Sequence, residues 1–380
     1  MANTLGVYNP VFYAQEALIQ LEQALGMAGR VYMGYDEERR AFGKGETVNI
    51  RRPSTFTAAD APATAADITT ETVAMTLNYW REVKFKLSDK ELTFTGERII
   101  NDHIRPAAYA LADDIDTKLS LLYKDVPWFA DLGGTPGVSD ITGQQQILFD
   151  NAVPQDDLHM MIDGKTQNSF LQLSAFSQQQ GAGDAGVATQ QRGTLGTKFG
   201  FEVFANQNVQ THTPGVSADA AGAVNGAGAV GDTTLVVDAF EASGTVKAGD
   251  ILTLTGYTQK YVVTADASFS SGAATLSINP PLKTIVADNT VATLDLDATN
   301  VKQNLAFHRN AFGLVTAPLS DAARELGAKV ATIQDPVTGL ALRSRIYYVG
   351  NSSEVHVAID VLYGVQTLDP NLASRLMSPV

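Results

Sequence analysis

An α+β fold carrying an inserted small all-β domain is predicted by three features of this 380-residue sequence. Apolar residues recur at three- and four-residue spacing in two stretches, one near the N-terminus and one over 96–125, which is the period of an amphipathic helix. From Glu46 to Asp89 the apolar residues alternate with polar ones at the period of a strand. At Val216 the composition turns abruptly to Gly, Ala, Val, Thr and Asp, and the earlier mixture resumes at Asn304. With 44% hydrophobic residues the chain is able to bury a sizeable core, and its length suits about two to three domains.

The first helix follows Pro10. Val11, Ala14, Leu18, Leu21 and Leu25 form one apolar face, and Gly26 to Gly29 stop it. That face calls for a partner, either in its own domain or on a neighbouring subunit. From Glu46 the period changes to two: "TVNIR" reads as a short strand, and "TVAMTLNYWREVKFKL" alternates through Val73, Met75, Leu77, Tyr79, Val83, Phe85 and Leu87. Between them, residues 53–69 are rich in Ala and Thr, with Phe56 and Ile68 as the sole large apolar groups. Such a segment builds no core of its own, so it is expected to be the tip of a long hairpin arm that lies on something else.

The second helix is the longest. Ile100, Ile104, Ala108, Leu111, Ile115, Leu119 and Leu122 line one side of it, and Pro106 inside the pattern removes a backbone donor, favouring a kink. Short alternating units follow to Gly200, among them "DLHMMIDGKTQNSFLQLSAF" as strand, turn and helix, and "GFEVFANQNVQTHTPG" reads as another strand with its exit loop. Beyond Val216, "TTLVVDAF", "DILTLTG", "KYVVTADA", "ATLSINPPL" and "TVATLD" are five short β runs with turn residues between most of them, the pattern of a small sandwich or barrel.

Chemistry is sparsely signalled. There is no cysteine, which removes disulfides, thiol nucleophiles and thiolate metal sites. The balance of 27 basic against 41 acidic side chains gives a net charge of −14, which opposes long-range attraction to a nucleic-acid backbone. The N-terminal "MANTLGVYNPVFYAQ" has no basic leader followed by an apolar block, so no secretory signal is expected, and no apolar run reaches the ~18 residues of a membrane span. "GAGDAG" (181–186) spells a dinucleotide fingerprint but follows "SQQQ" where a strand is needed. Asp113 and Asp116 share a helix face at a spacing able to hold a divalent ion, although solvated helix surface is the commoner outcome. "DLDATN" lacks the glycine of a calcium loop. Five histidines, at 103, 159, 212, 308 and 356, are scattered without ligand spacing. His308 and Arg309, set in the apolar run "NLAFHRNAFGLVTAPL", have a catalytic reading as base and anion clamp and a structural one as the polar margin of a β segment; no accompanying motif supports the first.

Taken in order, "RPAAYALADDIDTKL", "GFEVFANQNVQTHTPG", "GTVKAGDILTLTG", "ATLSINPPL", "NLAFHRNAFGLVTAPL" and "VHVAIDVLYGVQTLDPNLASRLM" resemble the backbone helix, the strand before the insertion, the insertion's start and finish, and the closing core strands of one family: the major capsid (coat) proteins of tailed bacteriophages, Hong Kong 97-like, in the subgroup with an inserted β domain. The resemblance covers most of the chain from about Glu46. It implies an N-terminal arm with its amphipathic helix over 1–45, an extended hairpin loop over 46–89, peripheral and axial core over 90–215 built on the long spine helix, a barrel-like insertion over 216–300, and closing core strands over 301–380. It further implies self-assembly into hexamers and pentamers of an icosahedral shell that encloses DNA without sequence-specific binding. A scaffolding protein, a portal protein and a decoration protein are the implied partners, with the virion as the location and the host cytoplasm as the place of assembly. No cofactor, metal, membrane or catalytic group is expected. His308 and Arg309 then become structural groups, with Phe307, Phe312 and Leu314 supplying the buried face. Arg51, Arg52, Phe56 and Arg81 on the hairpin, and Asp113, Asp114 and Asp116 on the spine helix, are candidate intersubunit contacts. Two other readings differ in class: an encapsulin-like cellular compartment shell, against which the insertion argues, and a hydrolase with an appended β domain, against which the missing paired-carboxylate or triad motif argues.

Overall fold

The computed structural model describes residues 10–33, 47–51, 60–61, 72–132, 137–178, 189–217, 220–295, 300–319, 328–334 and 340–380. Two compact units are formed, Met1–Ile115 with Gly313–Leu368, and Asp116–Phe312 with Asp369–Val380.

In chain order the elements begin with α1 (Pro10–Ala24), β1 (Thr47–Arg51), β2 (Thr72–Thr76), β3 (Tyr79–Ser88) and α2 (Asp89–Ser120). There follow β4 (Phe129–Asp131), α3 (Val138–Asp150), β5 (Leu158–Ile162), α4 (Gly164–Leu171), α5 (Ser174–Ser177), β6 (Gly196–Lys198), β7 (Phe201–Ala205) and β8 (Thr211–His212). The β-rich stretch holds β9 (Ala221–Val224), β10 (Thr234–Asp238), β11 (Ser243–Val246), β12 (Ile251–Leu254), β13 (Tyr261–Val263), β14 (Ala267–Ser270), β15 (Ala274–Asn279) and β16 (Val291–Leu294). Last come β17 (Val301–His308), β18 (Phe312–Ala317), β19 (Lys329–Gln334), β20 (Ala341–Val349), β21 (Glu354–Thr367) and β22 (Ala373–Pro379).

In the first unit, β18, β21, β20 and β19 lie side by side, and β3 adds to β21 in an antiparallel ladder from Glu354↔Ser88 to Tyr363↔Tyr79. The run 72–87 therefore does not form one strand. Its first part pairs with β1 as a separate hairpin and the rest joins the sheet, with the break where Asn78 N–H donates to Thr76 O. The hairpin is anchored at its root: Val48, Ile50, Met75 and Leu77 pack with Val315, Ala317 and Leu368. Its tip, with Arg52, Phe56 and most of 52–71, lies outside the described residues, as do residues 1–9 and 34–46 of the N-terminal segment. Helix α1 buries Ala14, Ala17, Leu18 and Leu21 and packs on β19 and β20, so its apolar face finds a partner in its own chain. Helix α2 begins at Asp89, seven residues before the apolar spacing becomes readable, and continues through Pro106. Ile104, Ala107, Ala108, Leu111, Ala112, Ile115 and Leu119 form its buried stripe.

In the second unit a sheet in the order β4-β22-β17-β5-β7-β6, with β8 on β17, carries α3 against β22 and β4. Its core joins Ile141 and Leu148 of α3 to Met160, Phe170, Phe176, Phe201, Ala306 and Leu376. Six strands of the β-rich stretch close a barrel in the order β10-β15-β13-β12-β16-β9, with β11 and β14 as a two-stranded ribbon. Val224, Leu235, Val237, Leu252, Val263, Leu276, Ile278 and Leu294 fill it; full burial of each such side chain contributes about 1.5–3 kcal/mol before chain entropy is charged. Five of the six barrel strands coincide with the five β runs of the sequence. The sixth, β9, precedes residue 230 and pairs with both β10 and β16, so the barrel needs residues from about 220 onward to close.

Candidate functional site

The sequence-selected side chains separate into several environments. Arg51 ends β1, while Arg52, Phe56 and the "GAGDAG" string lie outside the described residues. Arg81 Nε meets Asp114 Oδ2 at 3.1 Å, and Tyr363 Oη–H donates to the same oxygen at 2.5 Å. Asp113 is exposed one residue away. Asp116 is buried and accepts from Asn206 Nδ2 at 3.1 Å. Among the described residues no three His, Asp or Glu side chains gather as a metal site.

His308 closes β17 and caps the short turn Arg309–Ala311. Its Nδ1 accepts from Asn310 N–H at 3.2 Å, and burial pushes its pKa down against the opposing pull of Asp156 and Asp157. Phe307 and Phe312 stack edge to face beside it, both fully buried. The histidine is thus a backbone acceptor at a strand end, with Arg309 exposed next to it.

A constellation that local sequence did not signal forms where β8, the turn before β12, and β22 meet. His212 Nε2–H donates to Asp250 Oδ1 at 2.8 Å, and Tyr123 Oη–H donates to His212 Nδ1 at 3.0 Å; the two partners set the imidazole tautomer. Asp250 also accepts Gly215 N–H at 3.1 Å and Lys247 N–H at 2.6 Å, so its carboxylate organises the turn as well as the imidazole. Gly249 has φ +111, and an added Cβ there would sit 2.9 Å from His212 Cε1 and 3.2 Å from Tyr123 Cε2. Only a glycine allows both that backbone and that approach. Arg375, fully buried on β22, donates from Nη1 to Gly249 O at 2.8 Å, and its guanidinium carbon lies 5.8 Å from the Tyr123 ring centre.

Acid, imidazole and hydroxyl in a row have the order of a hydrolytic triad. The hydroxyl here is a buried phenol whose pKa burial pushes up to about 12, and the adjoining cavity of about 50 Å³ has room for a few waters. The arrangement is suited to holding a turn in place. Four residues spread from 123 to 375 carry it, and sequence offers no spacing by which to find them.

A second buried network lies in the five-stranded sheet. Asp360, fully buried, takes Arg343 Nε at 3.0 Å and Nη2 at 2.5 Å, Arg345 Nη2 at 3.1 Å, and Trp80 Nε1 at 3.0 Å. Arg345 also reaches Glu82 at 2.8 Å. These residues are cross-strand neighbours on one face of β3, β21 and β20, with Glu82, Asp360 and Arg343 in register. Beside them Trp80 stays 58% exposed although its indole nitrogen is tied down.

No family model and no curated protein matches this chain. Among solved structures, one from mycobacterium phage Che8 aligns with a TM-score of 0.52 at 15% identity, covering 93% of this chain and 90% of that one. The capsid structure of cyanophage P-SCSP1u aligns at 0.46 and 10% identity, over 89% of this chain and 84% of that one. The mature capsid of bacteriophage PhiM1 aligns at 0.46 and 11% identity, over 88% and 82%. The likeness to the Che8 chain establishes a shared fold.

Proposed function

We propose that this chain is the major capsid protein of a tailed bacteriophage, a non-enzymatic subunit that assembles with copies of itself into an icosahedral shell around packaged double-stranded DNA. The observation that carries this reading is the likeness to the Che8 chain over nearly the full length of both. In this reading the fold is Hong Kong 97-like: α1 belongs to the N-terminal arm, β1 and β2 are the root of the extended hairpin loop, α2 is the spine helix, and the barrel is the inserted domain. A shell gains stability by repetition. Each subunit makes several moderate interfaces at once, and their combined burial offsets the cost of fixing its position.

The candidate intersubunit contacts differ in what they have left to offer. Arg81 and Asp114 engage each other within the chain, and Asp116 is buried on Asn206. In this reading the contact role falls chiefly to Arg51, Arg52 and Phe56 of the hairpin. Partners in this reading are further copies in hexamers and pentamers, a scaffolding protein, a portal protein and a decoration protein. Assembly takes place in the host cytoplasm and the product is the virion. DNA is enclosed without sequence-specific contact, in keeping with a net charge of −14.

Expression of the chain alone and with its phage's candidate scaffolding protein, followed by size-exclusion chromatography and negative-stain microscopy, tests the reading. Closed shells of uniform diameter are expected, and a monomer at every concentration in both preparations would overturn it. Replacing residues 53–68 by a short Gly-Ser turn is expected to leave a folded, soluble subunit unable to close shells. Arg51→Glu with Arg52→Glu is expected to weaken assembly in a salt-dependent way.

A further inference from the structure

Arg375 is the largest fully buried side chain of the described residues, and most of its hydrogen-bonding capacity points at no protein atom. Nη1 is engaged by Gly249 O and, at 3.5 Å, by Gln303 Oε1. Nε and Nη2 have no partner. Asp250, whose charge is felt at the guanidinium, is already committed to His212, Gly215 and Lys247. A buried cation left in this state is strongly destabilising unless something satisfies its donors. Burial pushes the guanidinium down to about 10, against the opposing pull of Tyr123, Asp250 and Asp295, so it stays charged at neutral pH.

Beside Arg375 lies the cavity of about 50 Å³, whose wall also includes Asp131, Asp250 and Asp295. The wall decides what belongs inside. A small anion would satisfy the two free donors and face three carboxylates. A cation would suit the carboxylates and face a fixed guanidinium. An apolar guest would leave the Nε–H and both Nη2–H bonds unmet. Water accepts from one side and donates to the other, and the volume of about 50 Å³ holds about three to five molecules at roughly 10–15 Å³ each.

We propose that this cavity is a resident site for ordered water, which accepts from Arg375 Nε and Nη2 and donates toward the carboxylates of the wall. The barrel turn at Gly249 and Asp250 is then joined to β22 by one direct hydrogen bond and by a hydrated network. The joint between barrel and sheet at this point is polar and wet.

An experimental structure of the assembled or free subunit at high enough resolution to see solvent, in parallel with a bromide soak, tests the site. Oxygen-sized peaks within about 3.2 Å of both Nε and Nη2, with no anomalous bromide signal in the cavity, are expected. A bromide peak there, a dry cavity, or Arg375 turned into direct contact with a carboxylate would each overturn the proposal. In Arg375→Met, which keeps most of the volume and no donor, the same peaks are expected to vanish, and exchange of the Gly215 and Lys247 amides to rise by about tenfold or more. Retained peaks and unchanged exchange in that variant would also count against the site, and should the variant fail to fold, the wild-type density decides.

Discussion

Asp360→Ala is the perturbation whose size can be worked most directly. The carboxylate it removes is fully buried and holds Arg343, itself 8% exposed, through two contacts at 3.0 and 2.5 Å. Arg345 loses a 3.1 Å contact and keeps Glu82, and Trp80 Nε1 loses its sole acceptor on β21. Removing one partner of a buried pair leaves the other charge uncompensated, at a cost of about 3–5 kcal/mol. In a unit of this size each kcal/mol lowers the melting temperature by roughly 2–4 °C, so a drop of about 6–20 °C is expected. The chain contains two tryptophans, Trp80 and Trp128; in a Trp128→Phe background, thermal unfolding followed by Trp80 fluorescence reports on the first unit. The double variant Arg343→Met, Asp360→Leu replaces the pair by apolar groups of similar volume and is expected to recover most of the loss. A single variant melting within about 2 °C of the parent, or a double variant as unstable as the single, would refute the reasoning.

Hydrogen bonds from Lys86, Ser352 and His356 hold the Glu354 carboxyl down at about 2, below its unfolded value of about 4.3. Its contribution to stability is therefore present above about pH 4.3 and lost as pH falls toward 2. A carboxyl-carbon NMR titration is expected to give that low midpoint, and Lys86→Met to raise it; an unmoved midpoint would remove Lys86 as the main cause. Gly249→Ala forces a side chain into left-handed backbone against His212 and Tyr123 and is expected to destabilise the second unit by at least about 2 kcal/mol, read from its urea transition. A fragment spanning 220–295 is expected to melt cooperatively with a β-rich circular dichroism spectrum, whereas 230–295, which lacks β9, is expected to lose that cooperativity; equal melts would mean that β9 is dispensable.

The long amphipathic stripe of α2 and the β runs from Thr234 onward were legible because period and turn residues are local properties, written within a few positions of each other. Strand β9 was not, and Gly222 explains why. An added Cβ there would collide with Asp238 O and the Phe240 ring, so close packing demands the residue that most weakens a strand signal. The division of 72–88 between two sheets was equally hidden, since the alternation stays in phase while the partner changes from β1 to β21.

Sequence alone determined that one amphipathic helix lies near the N-terminus and a longer one runs to about residue 120, that the stretch after Val216 is β-rich, and that no thiol chemistry is available. Tertiary structure alone decided that Tyr123, His212, Asp250 and Arg375 meet, that Arg81 is claimed by Asp114, and that Asp360 gathers two arginines and a tryptophan. The physical reason is distance along the chain: periodicity is set by neighbours, whereas a buried charge is acceptable only beside partners that folding brings in from tens to hundreds of residues away.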